Sequence, residues 1–212
     1  MKLLLTSGGL RNGSILNTFK DMLDKPFHEA TLCFIPTASL AEAGDHGWFV
    51  DDLNRIHSLG WKQFDILSLE GLPKEMILDR LNVADVIYVE GGNTYALAKA
   101  IVDNDLAGTL LSILKTKVYV GVSAGSMIFS KDLTERMVAW YGEDEALYNA
   151  NDMQQLSPLN VFDWFLKPHV DFTDWKAEDM SFPYYAIDDQ TAIKVVGSKV
   201  EVVSEGDWEF VE

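Results

Sequence analysis

Apolar residues in the first two-thirds of the chain fall into short, unalternated runs separated by stretches with helical spacing. The runs Leu3–Thr6, Ala30–Pro36, Phe64–Leu67, Asp85–Val89 and Lys117–Val120 have the length and β-branched content of buried strands. Between them, Ile15, Leu16, Phe19, Met22 and Leu23 share one helical face. Phe49, Leu53 and Ile56 do the same on a helix expected from about Ala43 to Leu59, stopped by Gly60. A short helix is expected from Pro73 to Arg80, one carrying Leu97, Ile101 and Val102, and another carrying Leu106, Leu110, Leu111 and Leu114. Strands without polar alternation, joined by helices, predict an α/β fold: a mostly parallel sheet covered by helices on both faces. After Ser130 the pattern changes, and the polar and aromatic stretch from Glu135 to Asn151 supports no assignment. Ala192–Val196 and Val200–Val203 flank Gly197-Ser198-Lys199 and predict a C-terminal hairpin, with Trp208–Val211 as a third strand. No repeat, linker or low-complexity segment interrupts residues 1–212, so one domain is expected.

Composition narrows the partners. Apolar residues make up 48% of the 212 and charged residues 24%, with a net charge of −16. So acidic a chain repels phosphate backbones and anionic lipid, which argues against nucleic acid and membrane partners. There is no apolar run of transmembrane length, and the opening Met1-Lys2-Leu3-Leu4-Leu5 breaks into Thr6-Ser7-Gly8-Gly9 too early for a signal peptide. The single cysteine, Cys33, lies in the run Leu32-Cys33-Phe34-Ile35 and reads as a small core residue. These features suit a cytoplasmic protein.

Two glycine-bearing loops follow predicted strands. Gly121-Val122-Ser123-Ala124-Gly125 sits between an apolar strand and a helix, the setting of a nucleophile elbow. There small neighbours let a serine hydroxyl stand exposed, and the next backbone N–H, on Ala124, can face an oxyanion. The dipole of the following helix would favour that charge. A serine needs a base. Of four histidines, His28, His46 and His57 lie in the first part of the chain and read as surface residues. His169 ends the extended run Phe165-Leu166-Lys167-Pro168, where Pro168 stiffens the approach. The acid that would orient it is not chosen by spacing: Asp132, Glu135, Glu143, Asp144, Glu145, Asp152, Asp163 and Asp171 all lie between or near the two. In the second loop, Gly91-Gly92-Asn93-Thr94, the glycines allow close backbone approach. The loop can complete an oxyanion hole and meet substrate through Asn93 and Thr94, or it can be a tight turn with Thr94 as helix cap. Neither this loop nor Ser7-Gly8-Gly9 carries a nucleotide-binding signature, and no residue spacing suggests a metal; no cofactor is expected.

These motifs, taken with Asn151-Asp152-Met153 and Lys167-Pro168-His169 and in this order, resemble the S51 peptidases, the family of dipeptidase E (aspartyl dipeptidase) and cyanophycinase. The likeness runs from the first strand through His169. It implies a class I glutamine amidotransferase-like fold with serine in place of cysteine, Ser123 as nucleophile, His169 as base, Asp152 as the acid, and the amides of Gly92 and Ala124 as oxyanion hole. The implied activity is hydrolysis of small peptides through an acyl-enzyme. Dipeptidase E also has an arginine-bearing region after its histidine, whereas Val170–Gln190 here holds no arginine and only Lys176; aspartyl specificity is not carried over. Two other readings fit the same serine: an esterase of the α/β-hydrolase kind, and a non-catalytic binding module on an amidotransferase-like fold.

Overall fold

A computed structural model describes residues 1–130, 133–142, 158–178, 180 and 182–212. In chain order the elements are β1 (Lys2–Thr6), α1 (Gly13–Leu23), β2 (Thr31–Ile35), α2 (Thr37–Leu40), α3 (Gly47–His57), β3 (Gln63–Ile66), α4 (Lys74–Val83), β4 (Val86–Val89), α5 (Thr94–Asp103), α6 (Ala107–Ile113), β5 (Val118–Val122), α7 (Ala124–Met127), α8 (Leu133–Tyr141), β6 (Phe165–Lys167), β7 (Tyr184–Ile187), β8 (Thr191–Val196), β9 (Lys199–Ser204) and β10 (Trp208–Val211).

Seven strands form one sheet in the order β3-β2-β4-β5-β1-β8-β9. The first five run parallel, and β8 and β9 are antiparallel to their neighbours. Side chains on a strand alternate between faces, and here both faces are buried. Leu3 and Leu5 of β1 pack with Cys33, Ile87 and Val89 on one side, whereas Leu4 packs with Phe34, Tyr88 and Val120 on the other. Covering helices explain why these strands read as continuous apolar runs. On the second face α1 contributes Ile15, Phe19, Met22 and Leu23; it starts where the Asn12 side chain accepts the Ile15 N–H, and ends at Asp24 in the left-handed region. Burial pushes the Cys33 thiol up to about 12, so it is an inert core residue.

The structure departs from the expected elements in two places. The helix foreseen from Ala43 begins only at Gly47, because the Asp45 carboxylate takes the Gly47 N–H in a local turn that leaves residues 42–46 outside the helix. The hairpin β8–β9 forms as expected, but Trp208–Val211 does not extend it. β10 instead pairs antiparallel with β7, which pairs parallel with β6, in a separate three-stranded sheet. Among the described residues no helix is long and apolar enough to cross a membrane.

Candidate active site

β4, β5 and β1 are adjacent in the sheet, so the loops leaving their C-terminal ends converge, as open α/β sheets require of a site. β5 ends in Val122, and Ser123 follows with φ 46° and ψ −107°. A serine at positive φ is strained by about 1–3 kcal/mol, and its surroundings hold it there. The Ser123 N–H donates to the Thr6 carbonyl, and the Ser123 carbonyl accepts from the Ser126 and Met127 N–H groups. Ser126 Oγ donates to the Thr6 carbonyl at 2.8 Å, and the buried Tyr119 hydroxyl to the Gly125 carbonyl at 2.6 Å. The turn closes only because its glycines lack side chains: a Cβ on Gly121 would lie 2.6 Å from the Gly125 carbonyl oxygen, and one on Gly125 2.3 Å from that of Val89. The helix after Ser123 is just four residues long, so the dipole expected there is that of one turn.

Beside it runs the β4–α5 loop. Gly92 has φ 123°, and a Cβ there would stand 2.6 Å from the Ala38 carbonyl. Among the described residues neither the Gly92 nor the Ala124 N–H has a hydrogen-bond acceptor, so both donors are available. Asn93 rather than Thr94 caps α5: its side chain accepts the Ala96 N–H at 3.0 Å. The Thr94 hydroxyl, itself buried, points to Met127 Sδ at 3.9 Å.

His169 arrives after β6 with φ 58°, a left-handed turn that lifts the imidazole out of the strand direction. Its N–H donates to Ser7 Oγ at 2.8 Å. Its Nδ1 lies 2.6 Å from Asp189 Oδ1, and Ser7 Oγ donates to the same oxygen at 2.7 Å. The His169 hydrogen bond, helped by that of Ser7, pulls the Asp189 carboxyl down to about 2. A carboxylate at this distance accepts a proton carried on Nδ1, which leaves Nε2 as the basic nitrogen. Among the described residues no hydrogen bond joins the Ser123 hydroxyl to the imidazole, although both line one pocket.

That pocket has a volume of about 570 Å³, and Gly92, Asn93, Thr94, Ser123 and His169 all line it. Five of the residues expected from the sequence are thus brought together, with the Ala124 amide directly after Ser123. Asp152 lies outside the described residues. Asp189, the carboxylate that meets His169, is not among the acids singled out from the sequence, which run from Asp132 to Asp171. Its only local signal is the pair Asp188-Asp189 in the turn between β7 and β8. Ser7, seen only as part of a glycine turn, was missed as well. No group of acidic, histidine or cysteine side chains among the described residues could hold a metal ion.

A parallel sheet bearing a strained serine and a carboxylate-bound histidine at its C-terminal edge defines an α/β protein with a candidate hydrolytic site. More particularly, the chain belongs to peptidase family S51, whose sequence profile matches residues 3–203. An uncharacterized peptidase of Pasteurella multocida is 29% identical over 140 residues, 66% of this chain and 64% of that protein. An uncharacterized peptidase of Listeria monocytogenes is 28% identical over 177 residues, 79% of this chain and 82% of that one. In fold the chain is similar to a crystal structure of a peptidase E-type protein from Listeria monocytogenes, with a TM-score of 0.74, 23% identity, and coverage of 97% of this chain and 98% of the other. A peptidase from an acI-B1 Actinobacterium superposes with a TM-score of 0.66 at 19% identity, over 98% of this chain and 88% of that one. The α/β fold and the peptidase assignment expected from the motifs therefore stand.

Proposed function

We propose that the protein is a serine peptidase that hydrolyses small peptides through an acyl-enzyme. Ser123 Oγ attacks the scissile carbonyl while His169 Nε2 takes its proton and then delivers it to the leaving amine. The N–H groups of Gly92 and Ala124 receive the oxyanion. The Asp189 carboxylate keeps the proton of the resting imidazole on Nδ1 and stabilises the imidazolium; it replaces Asp152 in the role that the family resemblance suggested. Water, activated by the same imidazole, releases the acid product. The observation that carries this reading is a serine held at φ 46° in one pocket with a histidine whose Nδ1 is fixed to a carboxylate. Pockets of a few hundred Å³ beside the serine suit short peptides rather than folded chains. A buried lone thiol and the acidic surface accord with work in the cytoplasm.

The test is Ser123→Ala. It is expected to lower kcat on a cleaved dipeptide by about 10⁴ or more, and to abolish labelling by a fluorophosphonate that modifies the wild-type protein at Ser123. Wild-type turnover by the alanine variant would refute the proposal.

A further inference from the structure

A second pocket adjoins Ser123, with a volume of about 420 Å³. Ser123, His169 and Gly92 line it, as they line the first. Its floor is acidic and buried. Glu90, at the end of β4 and 1% exposed, turns Oε1 to the Gly91 N–H at 2.9 Å. Its Oε2 is buried and meets no hydrogen-bond donor among the described residues. The neighbouring carboxyl is Asp52 of α3, 4% exposed, whose oxygens take the Tyr88 hydroxyl at 2.8 Å and the Arg55 guanidinium at 2.5 Å. Arg55 is bound to Asp52, and no basic group is hydrogen-bonded to Glu90 among the described residues. Burial first, then the Asp52 charge, holds the Glu90 carboxyl well above the usual range.

The rim repeats the sign. Glu42 and Asp45 line it together with Trp48, which is 41% exposed and offers an aromatic face. Against these four carboxyl groups the lining holds one guanidinium, Arg11. Its Nε is spent on the Gly8 carbonyl at 2.7 Å, and its charge acts on Asp189. A buried carboxyl oxygen without a donor, opening on an acidic pocket beside the nucleophile, lacks one thing: a cation that brings its own N–H groups.

We propose that this pocket is a specificity subsite for a basic side chain, that of a lysine, ornithine or arginine next to the scissile bond, whose cationic head is received by Glu90 Oε2 and Asp52. As the cation enters, the Glu90 carboxyl gives up its proton to solvent and Oε2 accepts a charged N–H. The proposal rests on the serine peptidase reading. It extends that reading to the class of peptide and is opposite in sign to an aspartyl preference.

Binding and turnover test it separately. L-Lysinamide and L-norleucinamide both carry an α-ammonium and differ at the side-chain head, so calorimetric titration of each isolates the subsite without any bond cleavage. Lysinamide is expected to bind at least ~10-fold more tightly, as a buried charge-assisted hydrogen bond predicts, with proton release visible as a dependence on buffer ionisation enthalpy. Glu90→Gln, which mimics the neutral acid and so preserves the fold, is expected to shrink the ratio to below ~3-fold. The rim variant Asp45→Asn is expected to shrink it more modestly. Equal affinities, or a ratio unchanged in Glu90→Gln, would overturn the subsite. Lys-Ala, norleucyl-Ala, Ala-Lys and Asp-Ala then show on which side of the bond the basic residue sits. A Glu90-dependent advantage for either lysine peptide supports the subsite, and an advantage for Asp-Ala overturns it. Lysine-selective binding without Ser123-dependent turnover would count against the peptidase mechanism alone. Ser123-dependent turnover without lysine selectivity would count against the subsite alone.

Discussion

Asp189→Asn separates the acid that the structure brings to His169 from the one the motif order suggested. The asparagine is nearly isosteric, so the contacts to Nδ1 at 2.6 Å and Ser7 Oγ at 2.7 Å can persist while the charge is lost. Two effects follow, on different scales. For stability, the fall of the Asp189 carboxyl from 3.8 to about 2 sets a ceiling of roughly 2.5 kcal/mol, at about 1.4 kcal/mol per pH unit. The Asp189 side chain is 42% exposed, and solvent screening reduces the net contribution to about 1 kcal/mol. Because this carboxyl is lower in the folded state, its contribution is complete above its unfolded value of 3.8 and is lost as pH falls through about 2. Wild type should therefore melt above Asp189→Asn at pH 6, and the gap should close toward pH 2. For catalysis the loss is far larger: without a carboxylate the imidazolium formed in the transition state is unsupported and the tautomer is no longer imposed. A drop in kcat of about 10²–10⁴ is expected, with KM within a few-fold. Steady-state kinetics on a cleaved dipeptide should be run on Asp189→Asn and Asp152→Asn together. If Asp189→Asn keeps more than a tenth of wild-type kcat while Asp152→Asn loses it, the assignment of Asp189 is wrong.

Three further results are expected. Ser123→Ala should be inactive and unlabelled by fluorophosphonate, yet folded; relief of the positive φ is not expected, since alanine is strained there too. Gly92→Ala sets a Cβ 2.6 Å from the Ala38 carbonyl at a φ of 123°, and should lower stability by about 2–4 kcal/mol and slow fluorophosphonate labelling by about 10²-fold as the amide moves; wild-type labelling would show that the Gly92 N–H is not an oxyanion donor. Glu90 is an acid held neutral in the folded state, so its protonated form favours folding at low pH and this advantage fades as pH rises above the ordinary value of 4.5. Glu90→Gln, which has no proton to lose, should gain thermal stability relative to wild type as pH rises above 4.5, and a difference flat with pH would contradict the raised Glu90 carboxyl.

Local chemistry made much of this protein legible from its sequence. The parallel strands could be read because both faces of β1, β2, β4 and β5 are buried, and that leaves no polar alternation to confuse the pattern. Ser123 could be read because a tight strand-to-helix turn admits only small neighbours, and the close approaches at Gly121 and Gly125 show why. Gly92 was legible for the same reason. Strand partnership was less so: Trp208–Val211 has the composition of a strand, but composition does not say whether it joins β9 or β7. The carboxylate partner of His169 was beyond reach. Asp189 is 20 positions from His169, and Ser7 is 162 positions from it. Only the meeting of the ends of β1 and β6 with the turn before β8 brings the three together. The same holds for Glu90 and Asp52, two ordinary acids along the chain that become buried neighbours only when α3 packs against the end of β4. What the sequence determined by itself were the features governed by neighbours along the chain: strand, turn, and the serine and histidine we propose as nucleophile and base. What only the tertiary structure decided were the features governed by neighbours in space, namely which carboxylate meets the imidazole and which is buried without a cation. A carboxylate's charge state depends on surroundings that adjacent residues do not supply.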